Sequence, residues 1–210
     1  NKTTLAPTDT SDPDSSSHTI SGFVIKTTID RPEKIVCSVY ADDYDGTVDA
    51  AGVVDGTDAL VKSDELDIAA DTEKSIQITG LAFGTTYDVY CALVGTTDTG
   101  GPHTLSSVHQ TSTVQPSITS GPTQGDLTFE HFTVKLTYSG TKNSRCVVLE
   151  ADATAPTLAE FTAFTADDVI DLAEAEATAD TELELSLTVG CCGTSYDVYC
   201  GQPEYNILSD

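Results

Sequence analysis

The chain states nearly the same sequence twice, 109 residues apart, and this limits its fold more than any other feature. Gly84-Thr85-Thr86-Tyr87-Asp88-Val89-Tyr90-Cys91 returns as Gly193-Thr194-Ser195-Tyr196-Asp197-Val198-Tyr199-Cys200. At the same offset Pro7 meets Pro116, Phe23 meets Phe132, Lys26 meets Lys135 and Cys37 meets Cys146. Ala70-Asp71-Thr72-Glu73 likewise meets Ala179-Asp180-Thr181-Glu182. The period is too long for a solenoid repeat, so it predicts two copies of an independently folded module. Carried forward, the offset places the counterparts of residues 102–113 at 211–222, past Asp210. The second copy is therefore expected to lack a segment that the first one has.

The alternation within each copy is that of strands. Phe23, Ile25, Thr27 and Ile29 take turns with Val24, Lys26 and Thr28, and Phe132, Val134, Leu136 and Tyr138 repeat the pattern. Ile35, Cys37 and Val39 form another period-two face, as do Ile76 and Ile78, matched by Leu185 and Leu187. In the last shared strand Tyr87, Val89 and Cys91 face one way, and Asp88 and Tyr90 face what should be solvent. Cys37 and Cys91 both fall on inward faces, the side on which a bridge can close. They stand 54 residues apart, as do Cys146 and Cys200. Closing such a loop is worth about 4 kcal/mol in the chain-entropy model. Between the two cysteines the connection is less legible: Asp58–Val61 and Asp167–Ile170 each fit the start of a helical turn, Asp168–Ala177 is rich in helix formers, and an edge strand is equally allowed.

Composition sets the surroundings. With 34 acidic and 9 basic residues the formal charge is −25, which excludes the Lys/Arg clusters that hold phosphate backbones and opposes anionic membranes. The six cysteines include no Cys-x-x-Cys pair and no His spacing that completes a zinc site, so disulfides in an oxidising, secreted setting are expected. Asn1-Lys2-Thr3 fits an N-glycosylation acceptor at Asn1. Residues 1–17 are Thr-, Ser-, Asp- and Pro-rich and read as a tail or linker, followed by modules at 18–114 and 115–210.

One motif carries a family resemblance. Ile78-Thr79-Gly80-Leu81-Ala82-Phe83-Gly84-Thr85-Thr86-Tyr87-Asp88-Val89-Tyr90 resembles the passage from strand E to strand F of a fibronectin type III domain, where the Tyr makes a tyrosine corner. Ala151-Asp152-Ala153-Thr154-Ala155-Pro156-Thr157, after a Cys-bearing strand, resembles fibronectin-like repeats of microbial and algal surface proteins. The resemblance implies an all-β fold of two tandem immunoglobulin-like sandwiches. It places Cys37 and Cys146 on strand C, Cys91 and Cys200 on strand F, and Tyr87 and Tyr196 at tyrosine corners. The chain departs from the family in having no Trp on strand B, and in Gly190-Cys191-Cys192-Gly193 where the second Leu-x-x-Gly lead-in should be. With Cys146 and Cys200 so paired, Cys191 and Cys192 would bridge each other, re-pair within the module or reach another chain.

Catalytic motifs are missing: Gly-x-Ser-x-Gly, His-Glu-x-x-His and phosphate-binding glycine loops do not occur, so no enzyme activity and no cofactor are expected. His18, His103, His109 and His131 have no metal-site spacing. Asp42, Asp43, Asp45, Asp49, Asp55 and Asp58 offer carboxylates to calcium but not in a calcium-loop pattern, and copy two keeps only Asp152 and Asp167 of the set. A solvated acidic loop is the simpler reading. In a fibronectin-like sandwich strand G covers strand F; copy one has it within His103–Val114, and copy two offers only a short strand around Tyr205-Asn206-Ile207-Leu208-Ser209. An open edge of this kind takes an extended segment from elsewhere. The expectation is a structural subunit that polymerises head to tail with identical subunits into an extracellular filament, the tail around Leu5 serving as donor strand. A surface adhesin or ectodomain fragment that binds a glycan or protein is the alternative.

Overall fold

The computed structural model describes residues 14–30, 32–94, 105–128, 130–163, 169–190 and 194–209. The fold is all-β, with antiparallel sheets and, among the described residues, two α-helices of six residues each. It divides into two compact units, Asn1–Gln115 and Pro116–Asp210.

In unit 1, β1 (Asp14–Thr19), β2 (Gly22–Thr27) and β6 (Lys74–Thr79) form one sheet in the order β1-β2-β6. The other sheet centres on β3 (Glu33–Ala41) and β7 (Thr86–Val94). It is flanked by β4 (Val61–Lys62) and β5 (Leu66–Ile68) beside β3, and by β8 (His109–Ser112) beside β7. Phe23, Ile25, Ile76 and Ile78 from the first sheet share one core with Ile35, Cys37, Val39, Val89 and Cys91 from the second. The period-two pattern thus becomes the facing surfaces of two stacked sheets.

β1 takes in Asp14–Ser17, which composition groups with the tail. Ser15 and Ser16 pair with Ile25 and Val24, and an edge strand tolerates such polarity because only one of its edges is paired. The outer face of β7 is also covered rather than solvated. Tyr90 is half-buried in a second cluster with Tyr40, Val53, Tyr44 and Leu105, and β3 is buried on both faces. This cover includes α1 (Ala50–Asp55), whose Gly52 N–H is capped by the Asp49 carboxylate at 2.7 Å. Asp58–Val61 does not start a helix; it leads into β4.

In unit 2, β9 (Ile118–Leu127), β10 (His131–Tyr138) and β13 (Glu182–Thr188) form one sheet. The other runs β12-β11-β14-β15, with β11 at Asn143–Glu150, β12 at Asp171–Glu176, β14 at Tyr196–Gln202 and β15 at Ile207–Leu208. The helix α2 (Leu158–Ala163) starts at a reciprocal cap. Glu160 Oε2 accepts the Thr157 N–H at 2.8 Å, and Thr157 Oγ1 accepts the Glu160 N–H at 3.2 Å. The Thr157 N–H, together with the Thr157 hydroxyl that donates to Oε2 at 2.7 Å, holds the Glu160 carboxyl below its ordinary range. The helix formers of Asp171–Glu176 lie in an edge strand instead, paired along β11 from Val148↔Asp171 to Asn143↔Glu176. Six ladder positions outweigh the few tenths of a kcal/mol per residue that separate these helix propensities. Asp167 and Asp168 lie outside the described residues.

The repeated Ala-Asp-Thr-Glu motif is a turn. Asp71 and Asp180 both adopt left-handed backbone, φ 52° and 57°, and their N–H groups donate to Ile29 and Tyr138 carbonyls at 2.8 Å.

Candidate functional site

The clearest difference between the units lies along the edges of β7 and β14. In unit 1, β8 lines the edge of β7 in the register Thr86↔Ser112, Tyr87↔Thr111, Asp88↔Gln110 and Val89↔His109. The strand continues into Thr113, whose N–H donates to the Thr85 carbonyl at 3.1 Å and whose Oγ1 accepts the Thr85 N–H at 3.2 Å. Val114 then donates its N–H to the Thr19 carbonyl at 2.9 Å. Thr111 and Thr113 are buried, and Thr111 Oγ1 meets Ser15 Oγ at 2.9 Å, so β8 also touches the first sheet.

In unit 2 the described residues cover the corresponding edge at one end. β14 pairs with β11 from Glu150↔Tyr196 to Arg145↔Gly201. On its other edge it meets β15 at Gly201↔Leu208 and Gln202↔Ile207. The close return at β15 requires glycine, because a Cβ on Gly201 would lie 2.0 Å from the Ile207 carbonyl oxygen. Among the described residues no strand lies beside Tyr196–Tyr199 on that edge. Antiparallel alternation fixes which groups this leaves. The backbone of Cys200 bonds outward to Ser209, so two and four residues earlier Val198 and Tyr196 also direct N–H and C=O to the open edge.

Behind the edge lies a groove of about 390 Å³, with Phe132 and Val134 of β10 on one side and Thr194, Tyr196 and Val198 on the other. Thr123 and Gln124 of β9 form its rim. The repeat relates Thr194 to Thr85, Tyr196 to Tyr87, Val198 to Val89 and Gln124 to Ser15. Each of these unit 1 counterparts pairs or bonds with β8 or Thr113.

A disulfide ties β14, which carries one wall of this groove, to β11, and unit 1 has its equivalent. Cys37 is bridged to Cys91 and Cys146 to Cys200, in each case between directly opposite residues of adjacent strands in one sheet. Because neither Cys37 nor Cys91 bonds its partner's backbone, both turn outward to serines. Ser63 donates its N–H to the Cys37 carbonyl at 2.9 Å and accepts the Cys37 N–H at 3.0 Å. Ser106 does the same for Cys91, at 2.8 and 2.9 Å, and Ser209 for Cys200, at 2.7 and 2.9 Å. These serines escaped the sequence reading. The last two stand 15 and 9 residues past their cysteines, which breaks the fixed offset that would have matched them. Ser209 therefore stands where Ser106 stands, and Leu208 where Leu105 bridges Ala92.

Tyr87 ties the corner of unit 1: its hydroxyl accepts the Ala82 N–H at 2.9 Å and donates to the Ala82 carbonyl at 3.2 Å. Tyr196 donates to the Gly190 carbonyl at 3.3 Å. Asn1, Leu5, His103, Cys191 and Cys192 lie outside the described residues. His18 bonds Thr111 Oγ1 at 3.0 Å, and His131 meets Thr188 Oγ1 at 3.2 Å. The acidic loop of unit 1 serves its own structure, Asp49 as helix cap and Asp58 as acceptor of the Tyr44 hydroxyl at 3.1 Å. Among the described residues no three His, Cys, Asp or Glu groups converge on a metal position, and no helix is long and apolar enough to cross a membrane.

No protein-family model matches the chain, and no curated protein matches it.

Proposed function

We propose that this chain is a structural subunit of an extracellular filament, built from two immunoglobulin-like modules and joined head to tail by a strand that one copy donates to unit 2 of the next. The observation that carries the proposal is the groove beside β14, lined in part by Thr194, Tyr196 and Val198, whose unit 1 counterparts pair with β8 or bond Thr113. An uncovered strand edge with an apolar slot behind it binds an extended segment through its backbone, with alternate side chains filling the slot. Donor and acceptor surfaces lie on different parts of the chain, so each added copy presents a fresh acceptor and growth does not close. The bridges fit this role, since two disulfides are the chemistry of an oxidising compartment and Cys146–Cys200 ties β14 to β11 beside the groove. The charge of −25 fits it too, by opposing lateral clumping of subunits.

Electron microscopy of the purified chain beside a version lacking residues 1–13, a cut that spares β1, tests the reading. Filaments from the full chain and single particles from the shortened one are expected. Single particles from both, or filaments from both, would refute it.

A further inference from the structure

The occupant of the groove and its register follow from the segment that fills the same space in unit 1. That segment reads Gln110-Thr111-Ser112-Thr113-Val114-Gln115-Pro116, and 109 residues earlier stands Asn1-Lys2-Thr3-Thr4-Leu5-Ala6-Pro7. Thr4 matches Thr113, Pro7 matches Pro116, Thr3 replaces Ser112 and Leu5 replaces Val114. Resting on the filament reading above, we infer that residues 2–6 of one copy form the edge strand of unit 2 in another copy, with Lys2 opposite Tyr196, Thr3 opposite Ser195 and Thr4 opposite Thr194.

Thr113 shows why this register is preferred. It is buried and exchanges bonds with both backbone groups of Thr85. Thr194 stands in the place of Thr85, and Thr4 brings the same side chain to it. Leu5 then takes the position of Val114, 40% exposed, and lies at the rim with its N–H directed at the Thr128 carbonyl, the counterpart of Thr19. Pro7 falls where Pro116 falls, past the paired residues, and its missing N–H costs no ladder bond. A one-residue slip turns Thr4 outward and moves every side chain to the opposite face. On the buried face of the strand Lys2 departs from the template, where Thr111 is buried. Its methylene stem lies along Phe132 and Val134, and its ammonium leaves at the Gln124 rim.

The register is tested by disulfide trapping between two full-length variants, Thr3→Cys and Ser195→Cys. In unit 1 the hydroxyls of the equivalent Ser112 and Thr86 lie 3.2 Å apart on the outward face. Mixed filaments are oxidised and the bridges mapped by mass spectrometry, which separates the new bridge from any through Cys191 or Cys192. The expected result is a bridge between the two substituted positions in different chains, and at least tenfold less from Thr4→Cys mixed with Ser195→Cys. Filaments that give the second bridge, or neither, would overturn the register while leaving strand donation intact. A bridge that forms within one chain when both substitutions are on it would overturn donation between copies. Failure of the mixed chains to form filaments, where the unsubstituted chain also forms none, would overturn the reading beneath it.

Discussion

Ser209 holds Cys200 by both of its backbone groups, donating its N–H to the carbonyl at 2.7 Å and accepting the cysteine N–H at 2.9 Å on its hydroxyl. Cys200 is fully buried, so Ser209→Ala leaves an amide with neither protein nor water for a partner. An unsatisfied buried donor costs about 1–3 kcal/mol. Urea unfolding should show unit 2 losing that amount while unit 1 keeps its midpoint. A loss shared equally by both units would contradict the local origin of the effect.

The bridge beneath this serine closes a separation of 54 residues. Replacing Cys146 and Cys200 together by Ser is expected to cost unit 2 about 4 kcal/mol on the chain-entropy account. It also frees β14 to slip along β11. The variant should therefore lose affinity for a peptide of residues 1–9 even in conditions where it remains folded. Calorimetric titration reads this directly, and undiminished binding by the folded variant would show that the bridge does not shape the groove.

Unit 2 also carries a buried polar pair where unit 1 has isoleucines. Tyr138 and Ser144 stand in the places of Ile29 and Ile35, and the Ser144 hydroxyl donates to the Tyr138 oxygen at 2.7 Å. Burial pushes the Tyr138 phenol up to about 12, the Ser144 bond opposing it in part. The folded state thus keeps a proton that the unfolded chain releases near pH 10. Its contribution is complete below pH 10 and is lost as the pH rises toward 12, by roughly 2–3 kcal/mol. Tyr138→Phe should flatten that alkaline fall in unit 2. Burial also raises the phenol of Tyr40, so unit 1 keeps a slope of its own. An unchanged unit 2 slope in the Phe variant would contradict the assignment.

Much of this architecture is legible in the amino-acid sequence itself. The strands β2, β3, β6 and β7 alternate clearly because one face of each meets a dry core, and the same alternation turns Cys37 and Cys91 inward. The edges were hard to read for a related reason. β1 and β9 carry Asp-Ser-Ser-Ser-His-Thr and a Gly121-Pro122 step, because a strand paired on one edge only can hold polar residues and proline. β12 looked helical by composition until its pairing with β11 decided otherwise. The cluster around Tyr40 and Tyr90 was missed because period two cannot tell a solvated outer face from one covered by a loop. Past Cys200 the fixed offset of the repeat misaligns the two copies. The shorter connection from Cys200 to Ser209 shows where the equivalence resumes.

The open edge can be blocked without disturbing the rest of the sheet. The amide of Thr194 corresponds to that of Thr85, which bonds Thr113 in unit 1. Thr194→Pro removes this donor at a position outside β14. Filament formation should fall at least tenfold, and the Tm of the isolated subunit should stay within a few degrees. Normal filaments from this variant would argue against strand addition at that edge.

The most direct measurement fills the groove from within. Since Ser209 stands where Ser106 stands, replacing Asp210 with the unit 1 sequence Ser107–Gln115 gives unit 2 a strand of its own. Sedimentation and electron microscopy of this chain, beside the unaltered one, should show single subunits in place of filaments and a higher Tm for unit 2. Filaments of undiminished length from the filled chain would contradict the claim that one copy completes the next.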